Sequence, residues 1–510
     1  MGFSMLHEII LLAAVFCPLT VHAISPIRPD VREELEKIQK EHFVHENDFS
    51  GTYMDFVPKA LRWELAFILS FELRVNALDA NGLKKIQQAL GLDDGNTVIM
   101  KRNLTNLEGK SLPLNGREIN VTTLDLSENQ IDEIDKDAFG GFINLHRLYL
   151  DYNRLSHMAV GVFNPLMKLK YLSLHSNNLQ SIDTVRFPEN SSLEELFLIN
   201  NHITNLPEGS FENLRKLNNL HLSRNHLQIL HEDAFRGLSS LKHLMLRENC
   251  IKHLPRGIFR ELGELSHLDL EHNLMEFIDS EIFVGNEKLF SVLLSENRLT
   301  TLHPDTLVHL KNLETVMLDS NQLVEYNFSG LHTRTIRLTD NHLTELQFNP
   351  NATHIKAQGN KIERILVPST VNLIDLQVDS NKIEDLGNIT TISTLTALYI
   401  ANNSISDLPE DFHKLTRLST LDLSHNHLTH LSFSSWTTNF SLTSLYDLRI
   451  NGNNFSHLPT NFLDFFPNLQ YLYICKNPWN ATFLHSFSEQ CIGRNITLNN
   501  PNDPTNDCSN

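Results

Sequence analysis

Basic residues, glycine and long apolar runs are all scarce in this sequence, and each shortage removes a class of protein. Lys and Arg number 42 against 61 Asp and Glu, a formal net charge of −19. A chain this acidic lacks the basic stripe that phosphate-tracking nucleic-acid binders need. Glycine is only 20 of 510 residues, and no glycine-rich loop suited to cradling phosphate stands out. G-x-S-x-G, H-E-x-x-H, P-loop and Rossmann patterns are all missing, so no catalytic residue is nominated and no cofactor is expected. At 41% hydrophobic and 20% charged, the chain is nevertheless no disordered polyampholyte.

One apolar run remains, Ile9 to Leu19. It falls well short of the roughly 20 residues that span a bilayer. Val21-His22-Ala23 follows, a small-x-small cleavage signature. Residues 1–23 therefore read as a secretory signal peptide, despite the lack of Lys or Arg before the run. The polar C-terminus carries no stop-transfer or lipid-anchor pattern. The expected product is secreted and extracellular, without a membrane anchor. Eleven Asn-x-Ser/Thr sites fit that compartment: Asn103, Asn120, Asn190, Asn327, Asn351, Asn388, Asn402, Asn439, Asn454, Asn480 and Asn495.

What is present in abundance is repetition. The string Leu145-His-Arg-Leu148-Tyr-Leu150-Asp-Tyr-Asn153-Arg-Leu155 reads L-x-x-L-x-L-x-x-N-x-L. It recurs around Asn129, Asn153, Asn177, Asn201, Asn225, Asn249, Asn273, Asn297 and Asn321, always at a spacing of 24. Asn341, Asn360, Asn381, Asn403, Asn426, Asn453 and Asn477 continue the series at less regular intervals. The x-L-x-L-x segment alternates, as a short strand does. One such strand cannot bury its leucines alone, whereas a parallel stack buries a continuous column of them. A second ladder runs through Phe139, Phe163, Phe187, Phe211, Phe235, Phe259 and Phe283, with Leu307 in the next place. It reads as core packing on the convex side. At roughly 150 residues per domain the length would suggest about three domains, but a repeat array runs to any length as one piece.

Over about residues 98–480 the sequence resembles the extracellular leucine-rich repeat family. The resemblance implies an α/β solenoid: a horseshoe with a parallel concave sheet, repeats over 98–474, and a short cysteine-containing C-terminal cap and polar tail over 475–510; amphipathic segments within 24–97, which lack the cysteines of the family's common N-terminal cap, predict a helical cap there. Cys475-Lys-Asn-Pro478-Trp479 resembles the start of that family's C-terminal cap, although the further cysteines usual after Pro-Trp are replaced by Asn480, Ala481 and Thr482. With the leader removed, Cys250, Cys475, Cys491 and Cys508 remain. A bridge from Cys250 to the cap is implausible, since about nine repeats at ~4.8 Å each separate them. Two unpaired thiols then imply either an intermolecular disulfide to a partner through Cys250 or a cap cysteine, or two inert cysteines.

Leucine-rich repeat proteins bind through the concave face. Four places and two places before each asparagine, side chains are expected to point into that face. Tyr149, Phe197, Ile199, His221, Met245 and Arg247 form an aromatic and methionine-rich group with one arginine, a composition suited to a protein interface. Arg337 and Lys356 form a positive pair for an acidic or anionic group. The string His425-Asn-His427-Leu-Thr-His430 falls on an exposed turn, and no metal site is expected there. A histidine-rich face would make binding vary between about pH 5.5 and 7.5. Only Asn190 is a sequon between Asn129 and Asn321, whereas eight lie from Asn327 to Asn495, so the first repeats offer the freer surface. Secretion, 24-residue repeats of the Toll type and spare thiols resemble the secreted insect leucine-rich repeat immune proteins without coiled coils. That resemblance implies binding of a protein or microbial surface ligand through repeats 1–9, in innate-immune recognition or complement-like regulation. An extracellular matrix or cell-adhesion role is the alternative.

Overall fold

The computed structural model describes residues 97–99, 106–107, 121–183, 185–327, 330–431 and 442–499. The signal peptide, nearly all of the helical segment expected over 24–97, and the tail with Cys508 lie outside these residues. The chain divides into two units. One takes in Met1–Met100 and Asn120–Asp125, the other Lys101–Ile119 and Leu126–Asn510. In the first unit, strand Thr97–Ile99 pairs in parallel with Thr123–Asp125.

The second unit is a parallel-sheet solenoid. Its three-residue strands run from Arg147–Tyr149 through Tyr171–Ser173, Glu195–Phe197, Asn219–His221, His243–Met245 and onward to Tyr471–Tyr473 and Thr497–Asn499. Each pairs with the next in parallel and without a register slip: Leu148 faces Leu172, which faces Leu196, which faces Leu220. The central leucine, valine or isoleucine of each strand from Arg147–Tyr149 to Tyr471–Tyr473 is buried, while most residues on either side of it are half-exposed, and in the last strand Leu498 is itself half-exposed. Apolar burial of that column, at roughly 25 cal/mol per Å², is what a single strand lacks and a stack supplies.

The asparagine ladder closes each turn. Asn225 Nδ2 donates to Leu198 O of the preceding repeat at 2.9 Å and to Leu222 O of its own at 3.0 Å. Its Oδ1 accepts from Ile203 N at 3.1 Å. The same three bonds recur at Asn153, Asn177, Asn201 and along the stack. The residue just before the asparagine adopts a left-handed backbone, with φ of 54° at Tyr152, 56° at Arg224 and 56° at Ser380. That conformation turns the chain sharply enough to drop the asparagine inward.

Phe139 and Phe163 stack at 6.4 Å between ring centroids, Phe163 and Phe187 at 5.7 Å, Phe211 and Phe235 at 6.2 Å, and Phe259 and Phe283 at 6.1 Å. Leu307 is buried in the next place. Short parallel pairs also form outside the main sheet, Asn205–Leu206 with Ile229–Leu230 in the 24-residue block and Glu345–Gln347 with Arg364–Leu366 where the repeats shorten after Asn321.

At the far end, helix Ala481–Gly493 is capped by Asn480, whose side chain accepts from Thr482 N and Phe483 N. The helix buries Leu484, Phe487 and Cys491. Phe455, Trp479, Phe483 and Phe487 stack successively at 5.9, 5.6 and 5.2 Å. Strand Thr497–Asn499 pairs with Tyr471–Tyr473.

Candidate functional site

The exposed sheet face carries three columns of side chains. The middle column has the register read from sequence: Tyr149, Ser173, Phe197, His221, Met245 and Asp269 are successive partners. A second column, two residues after it, contains Ile199 and Arg247, both half-exposed. The first strand position forms the third column, which the sequence analysis did not single out. It places Arg147, Tyr171, Glu195, Asn219, His243 and His267 side by side. Counting six places before each asparagine would have found it.

That third column completes the aromatic group. Tyr149 and Tyr171 are 4.9 Å apart, Tyr171 and Phe197 5.1 Å, and Phe197 and His221 4.5 Å with rings nearly parallel. His243 stacks on His267 at 4.6 Å, and His267 lies 5.8 Å from Phe290. The rings make two stacks on neighbouring strands, Tyr149–Tyr171–Phe197–His221 and His243–His267–Phe290, and His221 and His243, where the two meet, interact electrostatically. Burial pushes the Tyr171 hydroxyl well above its ordinary range, reinforced by Tyr149. It also pushes His221 down to about 4, assisted by His243, and lowers His243 and His267. These imidazoles are neutral at physiological pH.

Charges beside the strip are paired within the chain. Arg247 bridges to Glu271 and to Glu248, and Arg224 bridges to Glu248 at 3.0 Å. Glu195 accepts a long bond from Asn219 at 3.5 Å, and its burial raises its pKa.

Arg337 and Lys356 are direct partners on neighbouring strands. Arg337 Nε lies 2.7 Å from Asp319 Oδ2, an ion pair whose N–H is not aligned for a hydrogen bond. One of the two charges is therefore already matched, which narrows the anion site expected there to Lys356. Further along, Arg449 lies 2.8 Å from Asp447, 3.8 Å from Asp422 and 5.2 Å above the ring of Tyr473. Burial, with the Asp422 charge adding to it, pushes the nearby Asp379 carboxyl up to about 6.

The cysteines separate by environment. Cys250 is a half-exposed free thiol and Cys491 a buried one. Desolvation pushes the Cys491 thiol up to about 11. Cys475 is disulfide-bonded, and its partner lies outside the described residues. Asn190, Asn327, Asn351, Asn388, Asn402, Asn454, Asn480 and Asn495 are all exposed; Asn103, Asn120 and Asn439 fall outside the described residues. Among the described residues, no three His, Cys, Asp or Glu side chains gather as a metal site, and no helix is long and apolar enough to cross a membrane.

The leucine rich repeat family matches residues 119–179, 167–227, 215–275, 264–323 and 371–428, together just over half of the chain. Rabbit (Oryctolagus cuniculus) lumican is 35% identical over 152 residues, 29% of this chain and 70% of that protein. Bovine (Bos taurus) osteomodulin is 29% identical over 183 residues, covering 33% of this chain and 40% of that protein. Apart from rabbit lumican, the chain spans under half the length of these curated relatives. Among solved structures, a leucine-rich repeat protein of Leptospira interrogans aligns with a TM-score of 0.55 at 23% identity, over 78% of this chain and 99% of that one. The APL1 leucine-rich repeat domain aligns with a TM-score of 0.53 at 22% identity, over 60% of this chain and 76% of that one. At these identities the structural likeness concerns the fold alone.

Proposed function

Since the chain belongs to the leucine-rich repeat family, we propose that it is a secreted, non-enzymatic protein that binds a protein or microbial surface ligand through the sheet face of repeats 1–9. The role is innate-immune recognition or complement-like regulation. The carrying observation is the strip Tyr149–Tyr171–Phe197–His221, four rings in successive contact on an exposed sheet face. Rings with paired charges around them are the composition of an interface core with its rim. Phe197 and His221 lie in the stretch between Asn190 and Asn327, which has no sequon, so no glycan attached within it covers them. Cys250, half-exposed within that stretch, is the thiol available for a disulfide-linked partner. A second reading, an extracellular matrix or cell-adhesion protein, is favoured by the similarity to lumican and osteomodulin.

A glycan placed on the face tests the site. F197N/I199T creates a sequon in the middle of the strip, and R298N creates one away from the sheet strands. Each secreted protein is immobilised and exposed to the fluid of its source. Ligands retained by the wild type and by R298N but lost on F197N/I199T support the face; ligands retained by all three reject it. Identification of the retained ligand as a matrix component or as an infection-induced or microbial one separates the two roles.

A further inference from the structure

We propose that the ring-bearing strands from Phe197 to His267 hold an uncharged, apolar segment of a partner protein while their imidazoles are neutral, and release that segment when His243 and His267 take up protons. This rests on the binding face described above and specifies its partner and regulation.

Geometry comes first. His221, His243 and His267 stand on three neighbouring strands, Asn219–His221, His243–Met245 and His267–Asp269. Phe197 is sandwiched between Tyr171 and His221, and His243 lies flat on His267. Phe197 is thus covered by rings on both sides, and His221, His243 and His267 each have a ring face covered by a neighbour. A cation or a sugar ring needs a free aromatic face, so neither suits this surface. The remaining contact area is ring edge together with Ile199 and Met245. Arg224, Arg247, Glu248 and Glu271 are bound to each other and present no unmatched charge for a charged ligand.

The response to acid follows from what surrounds the rings. The strand before His221 brings Glu194 and Glu195, the first bridged to Lys170 and the second bonded by Asn219. Its own strand is followed by Arg224, and the next is flanked by Lys242 and Arg247. The strand of His267 carries Asp269, followed by Glu271, which is committed to Arg247. Beyond it, Ser291–Leu293 carries no charge, and Phe290 packs beside His267. After desolvation, the groups that perturb the three imidazoles are His243, His267 and Lys242. All of these oppose a further positive charge. Covering the strip with an apolar segment removes the remaining water and makes protonation costlier still. By linkage, protonation must then weaken the complex.

The test uses full-length secreted protein and a displayed library of random 12-residue peptides, selected at pH 7.4. Peptide dissociation constants are measured at pH 7.4 and pH 4.5, where His221, pushed down to about 4, stays mostly neutral and the response falls to His243 and His267, with circular dichroism confirming a folded chain at both. The expected peptides are apolar and uncharged, lose binding on Phe197→Ser, and bind about tenfold or more weakly at pH 4.5, the effect of one unit of pKa displacement. In H243Q/H267Q the ratio of the two constants falls below about threefold. In H457Q, an exposed histidine of a distant turn, the ratio stays as in the wild type. Peptides sensitive to Phe197→Ser with equal constants at both pH values overturn acid release and leave the binding face standing. Selected peptides rich in Lys and Arg, or in Asp and Glu, overturn the uncharged partner. Peptides indifferent to Phe197→Ser overturn the face itself, and the proposal with it.

Discussion

Phe197 and His221 stack ring on ring across neighbouring strands, 4.5 Å between centroids and 18° between planes, and burial favours the uncharged form of the His221 imidazole. Burial, then His243, takes its pKa from 6.5 to about 4. The unfolded chain binds this proton more tightly than the folded one. Stability from this source is therefore constant above about pH 6.5, declines as the pH falls, and reaches its full loss below about pH 4. At 1.36 kcal/mol per unit, that loss is about 3 kcal/mol. His221→Phe should preserve the stack and remove this acid sensitivity. Urea midpoints at pH 7.5 and 4.5 check it: a wild-type decline that the variant reproduces in full would assign acid sensitivity to other groups.

Asn225→Ala removes three donated bonds, the longest of them to Ser223 O, and one accepted bond at once. It leaves the carbonyls of Leu198 and Leu222 and the amide of Ile203 short of a partner in the interior. The expected cost is about 3 kcal/mol, at one to three per stranded group with partial relaxation. Because each repeat touches only its neighbours, the damage should stay local. Hydrogen exchange should accelerate around residues 198–227 and remain slow near Leu398 and Leu421. Uniform acceleration along the chain would mean that the solenoid unfolds as one cooperative block.

The columns of this site were legible because the repeat period equals the strand period of the sheet. Residues 24 apart in sequence, such as Tyr149 and Ser173, become neighbours, so Tyr149, Phe197, His221 and Met245 could be aligned by counting. The ion pair of Arg247 with Glu271 obeys the same rule. Tyr171, His243 and His267 escaped notice because no patterned residue marks the first strand position. The pattern records what the core needs, and an outward-facing position is left open to any side chain. The state of the cysteines was illegible for another reason. Cys491 lies on the buried face of Ala481–Gly493, and its isolation depends on helix packing that spacing does not encode.

The turn before each ladder asparagine makes opposite predictions at two sites. Ser380 has φ of 56°, where a β-carbon costs about 1–2 kcal/mol. Ser380→Gly should offset part of that and raise the thermal midpoint, less the greater entropy of the unfolded glycine. Gly359 has φ of 67°, and a β-carbon there would collide with Asp340 Oδ1. Gly359→Ala should lower the midpoint by more than S380G raises it. Differential scanning calorimetry of the two variants decides it, and equal small shifts would show the turn to be more yielding than this geometry allows.

Cys250 and Cys491 differ in the property that governs thiol chemistry. The thiolate is the reacting species. Cys491 is fully buried and its thiol is pushed up to about 11; at pH 8 it is both unreachable and protonated. Cys250 is half-exposed on the turn after Asn249. Alkylation of the native protein with iodoacetamide at pH 8, followed by peptide mass spectrometry, should modify Cys250 and leave Cys491 untouched until denaturant is added. Rapid labelling of Cys491 in the folded protein would show that helix Ala481–Gly493 opens readily. Failure of Cys250 to label in protein taken from its native fluid, reversed by prior reduction, would show that the thiol is already held in a disulfide. Because Cys491 is buried and Cys475 is already bonded, that disulfide would most simply join Cys250 to another molecule, and the residue's position would place the partner beside the repeats that carry Phe197 and His221.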